Sequence, residues 1–133
     1  MPGSTASMQQ VDAMLSSPSP DSKPFFASAD LFIAFVGGLA ALTLYLLTLA
    51  PTISGEDSGE FITAAATLGI AHPPGYPLYC LLGHLFSWMP LGTPAWRINF
   101  MSAFFSAASI SLAILTVIYL TRNRRAALMA GLM

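Results

Sequence analysis

Apolar and polar positions divide this chain into blocks of unequal length. Leu31 to Ala50 is an apolar run interrupted only by Thr43 and Thr48, and at the helical rise of about 1.5 Å per residue it matches the hydrocarbon thickness of a bilayer. Ile98 to Thr121 is a second such run, holding Asn99 and several serines but no charge. Two membrane-spanning helices, 31–50 and 98–121, are therefore expected to form a hairpin. A cleaved signal peptide fits the first run poorly, because only Lys23 precedes it as a base, the apolar stretch is too long and Pro51 follows directly.

The connector 51–97 carries patterns of its own. Asp57-Ser-Gly-Glu60 has the cap-x-x-Glu spacing of a helix start, and the alanine-rich stretch Phe61 to Leu68 ends at Gly69. A short helix is predicted there, capped by Asp57 and closed by Gly69, with Glu60 returning a bond to the Asp57 backbone. In Ala71-His-Pro-Pro-Gly-Tyr-Pro77 the prolines disfavour helix at His72 and hold its imidazole on a stiff turn. Leu78 to Met89 is apolar but too short to span, so it is expected in the interface. Tyr76, Tyr79, Trp88 and Trp96 suit that level, since amphipathic rings prefer headgroups.

The flanks set the orientation. Arg122, Arg124 and Arg125 follow the second run, whereas the connector holds one arginine and three acids, Glu56, Asp57 and Glu60. Bases gather on the cytosolic side, so the connector is expected to face outward or into a lumen. Residues 1–30, rich in Ser and Pro and without apolar periodicity, read as a disordered cytosolic tail. Residues 122–133 read as a basic turn followed by the start of a truncated third membrane segment.

Composition supports the same class: 55% of residues are hydrophobic and 8% charged, with a mean hydropathy of +0.68. The fold class expected is all-α, a polytopic membrane protein. A net charge of -1 with few, dispersed bases predicts no nucleic-acid partner. The single cysteine, Cys80, excludes an internal disulfide and a multi-cysteine metal site. Ala34 with Gly38, and Gly37 with Ala41, are small residues four apart that permit close helix approach. Asn99, Ser102, Ser106 and Ser109 form a polar stripe expected to face protein rather than lipid.

Ionisable groups at a bilayer boundary point to chemistry, and each has a plain reading beside a functional one. Asp57 is a helix cap or a base. Glu60 is the capping partner or a second acid, and Glu56 is a solvated loop acid. His72 is a turn histidine bonded to backbone or a ligand contact, and His84 is a packed or interfacial residue. Arg97 snorkels to headgroups or supports a phosphate; Asn99 packs or reaches a ligand. A sugar on a lipid phosphate presents its anomeric carbon just outside the bilayer. There a carboxylate can take a proton from an acceptor hydroxyl, and a cation or a metal held by acids can stabilise the departing phosphate.

Leu49-Ala-Pro-Thr-Ile-x-Gly-x-Asp-Ser-Gly-Glu-Phe61, Leu68-Gly-Ile-Ala-His-Pro-Pro-Gly-Tyr-Pro-Leu78 and Trp96-Arg-Ile-Asn99 closely resemble the amino-terminal region of the protein O-mannosyltransferases of the transmembrane protein 260 type. The resemblance covers about Tyr45 to Tyr119. It implies the amino-terminal part of a C-superfamily glycosyltransferase fold, whose first outward loop holds an acidic catalytic motif. It further implies inverting transfer of mannose or a related sugar from a polyprenyl or dolichyl phosphate donor to Ser/Thr hydroxyls of a protein acceptor. The membrane would be a bacterial inner membrane or the endoplasmic reticulum.

By the same resemblance Asp57 is the first choice for the base and Glu60 a second acid for acceptor or a divalent metal. His72 and Tyr76 are substrate contacts, and Arg97 with Asn99 supports the loop or the phosphate. Membrane lipid, lipid-phosphate donor and protein acceptor are the implied partners; no other cofactor is implied. Such enzymes have many spanning helices, so this chain is expected to be a fragment without turnover in isolation. The alternatives are a non-catalytic hairpin with an assembly role and a transporter segment whose acids bind a cation.

Overall fold

The computed structural model describes residues 25–55 and 57–132; most of the expected tail, and Glu56, lie outside them. Five α-helices and no strand make up the described residues: α1 Ser28–Leu47, α2 Ser58–Thr67, α3 Pro77–Ser87, α4 Pro94–Thr121 and α5 Arg124–Leu132. The two long helices start earlier than their apolar runs, because polar groups close their first turns. The Asp30 carboxylate accepts the Ala27 N–H at 2.9 Å and so begins α1 at Ser28 rather than Leu31. Thr93 accepts the Trp96 N–H at 3.1 Å with Pro94 in the first turn, which begins α4 ahead of Ile98. At its far end α1 stops at Leu47, where the Thr48 hydroxyl donates to the Leu44 carbonyl at 3.0 Å.

α1 and α4 run antiparallel, tied at one end by Asn99 to Ala50 and at the other by Arg124 to Asp30. The small residues of α1 make this seam. A carbon added at Gly38 would fall 1.9 Å from Ser111 Oγ and 3.2 Å from the Ala107 carbonyl, and one at Gly37 would fall 2.5 Å from Ile114. Their partner is thus α4 of the same chain. Ala34, Ile114, Ile118 and, from α5, Ala127 are buried together. α5 folds back along α4, where a carbon on Gly131 would lie 2.8 Å from Ile114.

The outward faces of both long helices are also apolar: Phe32, Phe35, Leu44, Leu112 and Leu120 are exposed. A water-soluble bundle would place polar side chains there, so these faces fit hydrocarbon. Both helices are long and apolar enough to cross a membrane. Ser102, Ser106 and Ser109 are exposed, Ser102 and Ser106 beside a groove they share with Tyr45 and Thr48. Ser109 satisfies its hydroxyl by donating to the Phe105 carbonyl at 2.9 Å.

α2 and α3 form a small layer over the amino-terminal end of α4. Ile62, Ala65, Ala95, Ile98 and Met101 share a core there, with Tyr79, Leu82 and Phe86 packed against it. The crossing of α2 and α3 is close, since a carbon on Gly83 would stand 2.7 Å from the Ala65 methyl.

Candidate functional site

Asp57 occupies the residue before α2 yet does not cap it. Its backbone (φ -80, ψ 1) is turned out of the extended region that aims a cap side chain at the helix N–H groups, and the carboxylate makes no cap bond. Ser58 organises the turn instead, donating to the Gly55 carbonyl at 2.9 Å and accepting the Ser54 N–H at 3.1 Å. The expected return bond from Glu60 is also absent, because that carboxylate is used elsewhere. One oxygen accepts the His72 N–H and the other lies 3.1 Å from His72 Nδ1.

The chain reaches that arrangement by reversing at Leu68, not at the anticipated Gly69. Leu68 adopts the left-handed conformation (φ 53), and the Gly69 N–H closes the helix end on the Ala64 carbonyl at 2.8 Å. Residues after the turn are thereby laid back along α2. The hydrogen bonds from the His72 ring and backbone hold the Glu60 carboxyl below the usual glutamate range.

Phe61 touches both groups, lining a depression with Asp57 and meeting the His72 ring that Glu60 holds. Its ring meets His72, Tyr76 and Tyr79 edge-on, with centroids 5.2, 5.0 and 5.6 Å away. On one side a depression of about 650 Å³ is lined by Asp57, Ser58, Phe61, Tyr79 and Asn99. Glu60 opens instead on a separate hollow of about 380 Å³ with Thr63, Thr67 and Ile70. The structure therefore joins Asp57 with Asn99, and Glu60 with His72 and Tyr76, without bringing the two groups into one cavity.

Asn99 donates to the Ala50 and Thr52 carbonyls at 3.0 and 3.3 Å, which fixes its amide orientation and leaves Oδ1 as its acceptor for other groups. It also lines a second groove of about 300 Å³ beside Tyr45, Thr48, Ser102 and Ser106. Tyr79, read from sequence only as an interfacial ring, joins Asp57's depression. Burial pushes its phenol up, with the neighbouring Ser102 hydroxyl opposing, so it stays protonated at neutral pH. The available signal was its place three residues after Tyr76, in the first turn of α3.

Arg97 lines neither cavity. Its guanidinium donates to the carbonyls of Leu91, Ser87 and Gly92 at 2.7, 2.6 and 3.1 Å, fastening the turn between α3 and α4. His84 Nδ1 lies 3.0 Å from the Ala66 carbonyl at the end of α2, a packed role. Among the described residues no three His, Cys, Asp or Glu side chains gather as metal ligands.

Two antiparallel apolar helices carrying a folded, acid-bearing connector define a helical membrane protein with a candidate site at one end of its spans. The family model described as "Protein O-mannosyl-transferase TMEM260 N-terminal domain" matches residues 57–130. The mouse (Mus musculus) protein O-mannosyl-transferase TMEM260 is 41% identical over 100 residues, covering 74% of this chain and 14% of the relative. The Dictyostelium discoideum protein of the same name is 38% identical over 98 residues, covering 71% of this chain and 12% of the relative. The chain belongs to this family of glycosyltransferases, and the matched region is about one-seventh or less of these relatives' length. No solved structure matches it.

Proposed function

We propose that this chain forms the amino-terminal part of a membrane glycosyltransferase that moves mannose, or a related sugar, from a polyprenyl phosphate to Ser/Thr hydroxyls of a protein. The observation that carries the reading is the Asp57 carboxylate, uncommitted to helix capping and facing the depression it shares with Asn99 and Tyr79. In this reading Asp57 takes the proton of the acceptor hydroxyl as its oxygen bonds to the anomeric carbon. The bond from that carbon to the phosphate oxygen breaks, the configuration inverts, and the lipid phosphate leaves with the electron pair. The proton on Asp57 then passes to water.

Family membership supports the transferase chemistry, and position supports the donor: the depression lies at the end of two bilayer-length helices, where a lipid-borne sugar would sit. Glu60, spent on His72, orients the imidazole as a contact for donor phosphate or sugar, with Tyr76 beside it. Arg97 acts by holding the α3–α4 turn. The connector would face the lumen or the outside of the membrane. Transfer from isoprenyl-phosphate mannose should be measured in membranes expressing the full gene product. Asp57→Asn is expected to lower kcat at least about a hundredfold with unchanged insertion. Full activity of that variant would remove Asp57 as the base.

A further inference from the structure

At the opposite end of the spans a second polar site faces the membrane boundary, unconnected with the transfer chemistry. A depression of about 560 Å³ is lined by Asp30, Ile118, Arg122, Asn123, Arg124 and Arg125. Its charges do not cancel: three guanidiniums face one carboxylate. Arg124 Nε donates to Asp30 at 2.7 Å, which spends that acid. Arg122 lies over the Tyr119 ring at 5.8 Å, a contact that leaves its N–H edges free, and Arg125 is exposed with no side-chain partner among the described residues. The Asn123 side chain accepts the Arg125 and Ala126 N–H groups, so the start of α5 is already satisfied and adds little to the demand for an anion.

The surroundings choose the kind of anion. Phe25 is exposed, and the rings of Phe25 and Phe26 lean at 6.5 and 6.3 Å on Tyr119, whose ring lies under the Arg122 guanidinium. A small phosphate would meet the arginines but leave these apolar surfaces uncovered, whereas a phospholipid satisfies both at once. We propose that the Arg122–Arg125 turn, with Asp30, forms a discrete site for the phosphate of one anionic glycerophospholipid, whose acyl chains lie against Tyr119 and Phe25. The bound lipid would brace the return of α5 against α1 and α4.

The test is native mass spectrometry of the intact protein released from nanodiscs holding equal amounts of phosphatidylglycerol and phosphatidylcholine. One retained phosphatidylglycerol per chain is expected, and Arg122→Gln with Arg125→Gln should reduce its preference over phosphatidylcholine roughly tenfold or more. Arg124 is left in place so that its pair with Asp30 survives, and an unchanged helical circular dichroism spectrum would confirm the fold. Equal retention of the two lipids by the unaltered protein would overturn the proposal, as would an unchanged preference in the double variant. A ladder of adducts without a dominant single one would indicate diffuse attraction and overturn it too. Displacement by excess inorganic phosphate would assign the arginines to a free anion instead.

Discussion

The Glu60 carboxylate holds His72 through both of its oxygens, one on the backbone N–H and one 3.1 Å from Nδ1, across a separation of twelve residues. This pair fixes the turn 69–76 against the first turns of α2 and sets the imidazole against Phe61, which lines Asp57's depression.

A pH dependence follows. Because the folded state depresses the Glu60 pKa, its contribution is complete above the ordinary glutamate value and is lost as pH falls through the lowered value. Hydrogen exchange of the His72 amide is the direct readout. Its protection should hold from neutrality down through the usual glutamate range and fail only below it. Glu60→Gln should abolish that acid step. Protection that does not change at any pH where the helices persist would mean that the pair does not hold the turn.

Asp57 allows stability and catalysis to be separated. A capping aspartate replaced by alanine ordinarily costs about 1 kcal/mol, but Asp57 makes no cap bond. Asp57→Ala should therefore leave the thermal midpoint of the purified protein almost unchanged while sugar transfer is lost. Tyr79→Phe, which removes one hydroxyl from the same depression, is expected to raise donor or acceptor KM more than it lowers kcat. A large drop in thermal midpoint for Asp57→Ala would restore the capping role.

Leu68 carries a conformation that suits glycine better. Its φ of 53 is left-handed and its side chain is exposed, so little packing opposes substitution. Leu68→Gly is expected to stabilise the connector by about 1 kcal/mol, read as a higher thermal midpoint. Destabilisation would show that the Leu68 side chain is held by a contact, for instance with lipid, that outweighs its backbone strain.

The frame of the molecule was legible because a spanning helix leaves a long, uninterrupted apolar signature, and the acidic motif was legible because it stands alone between two such runs. Helix starts were less so. Hydropathy located α4 from Ile98, while Thr93-Pro94 carried the information that it begins earlier. The partners of Asp57 and Glu60 could not be read at all. The local spacing favours a capping box, and what defeats it is a contact with His72 made only after the chain reverses at a leucine that sequence gives no reason to place in a left-handed turn. Tyr79 was hidden for a similar reason: its ring suits an interface as well as a site, and only packing decides.

Gly38 tests whether the α1–α4 seam is a packed interface or a loose one. A carbon added there would meet Ser111 Oγ at 1.9 Å, Ser111 Cβ at 3.3 Å and the Ala107 carbonyl at 3.2 Å. The first obstacle is a side-chain atom that can move or be removed; the others require the helices to separate. Gly38→Ala should therefore destabilise by about 1–3 kcal/mol, a typical cost of overpacking, and Ser111→Ala in the same molecule should recover part of that loss. The measure is a double-mutant cycle on resistance to denaturant in detergent micelles. A coupling near zero would mean that the seam already yields by backbone movement, and that the small residues of α1 do not set how closely α4 approaches.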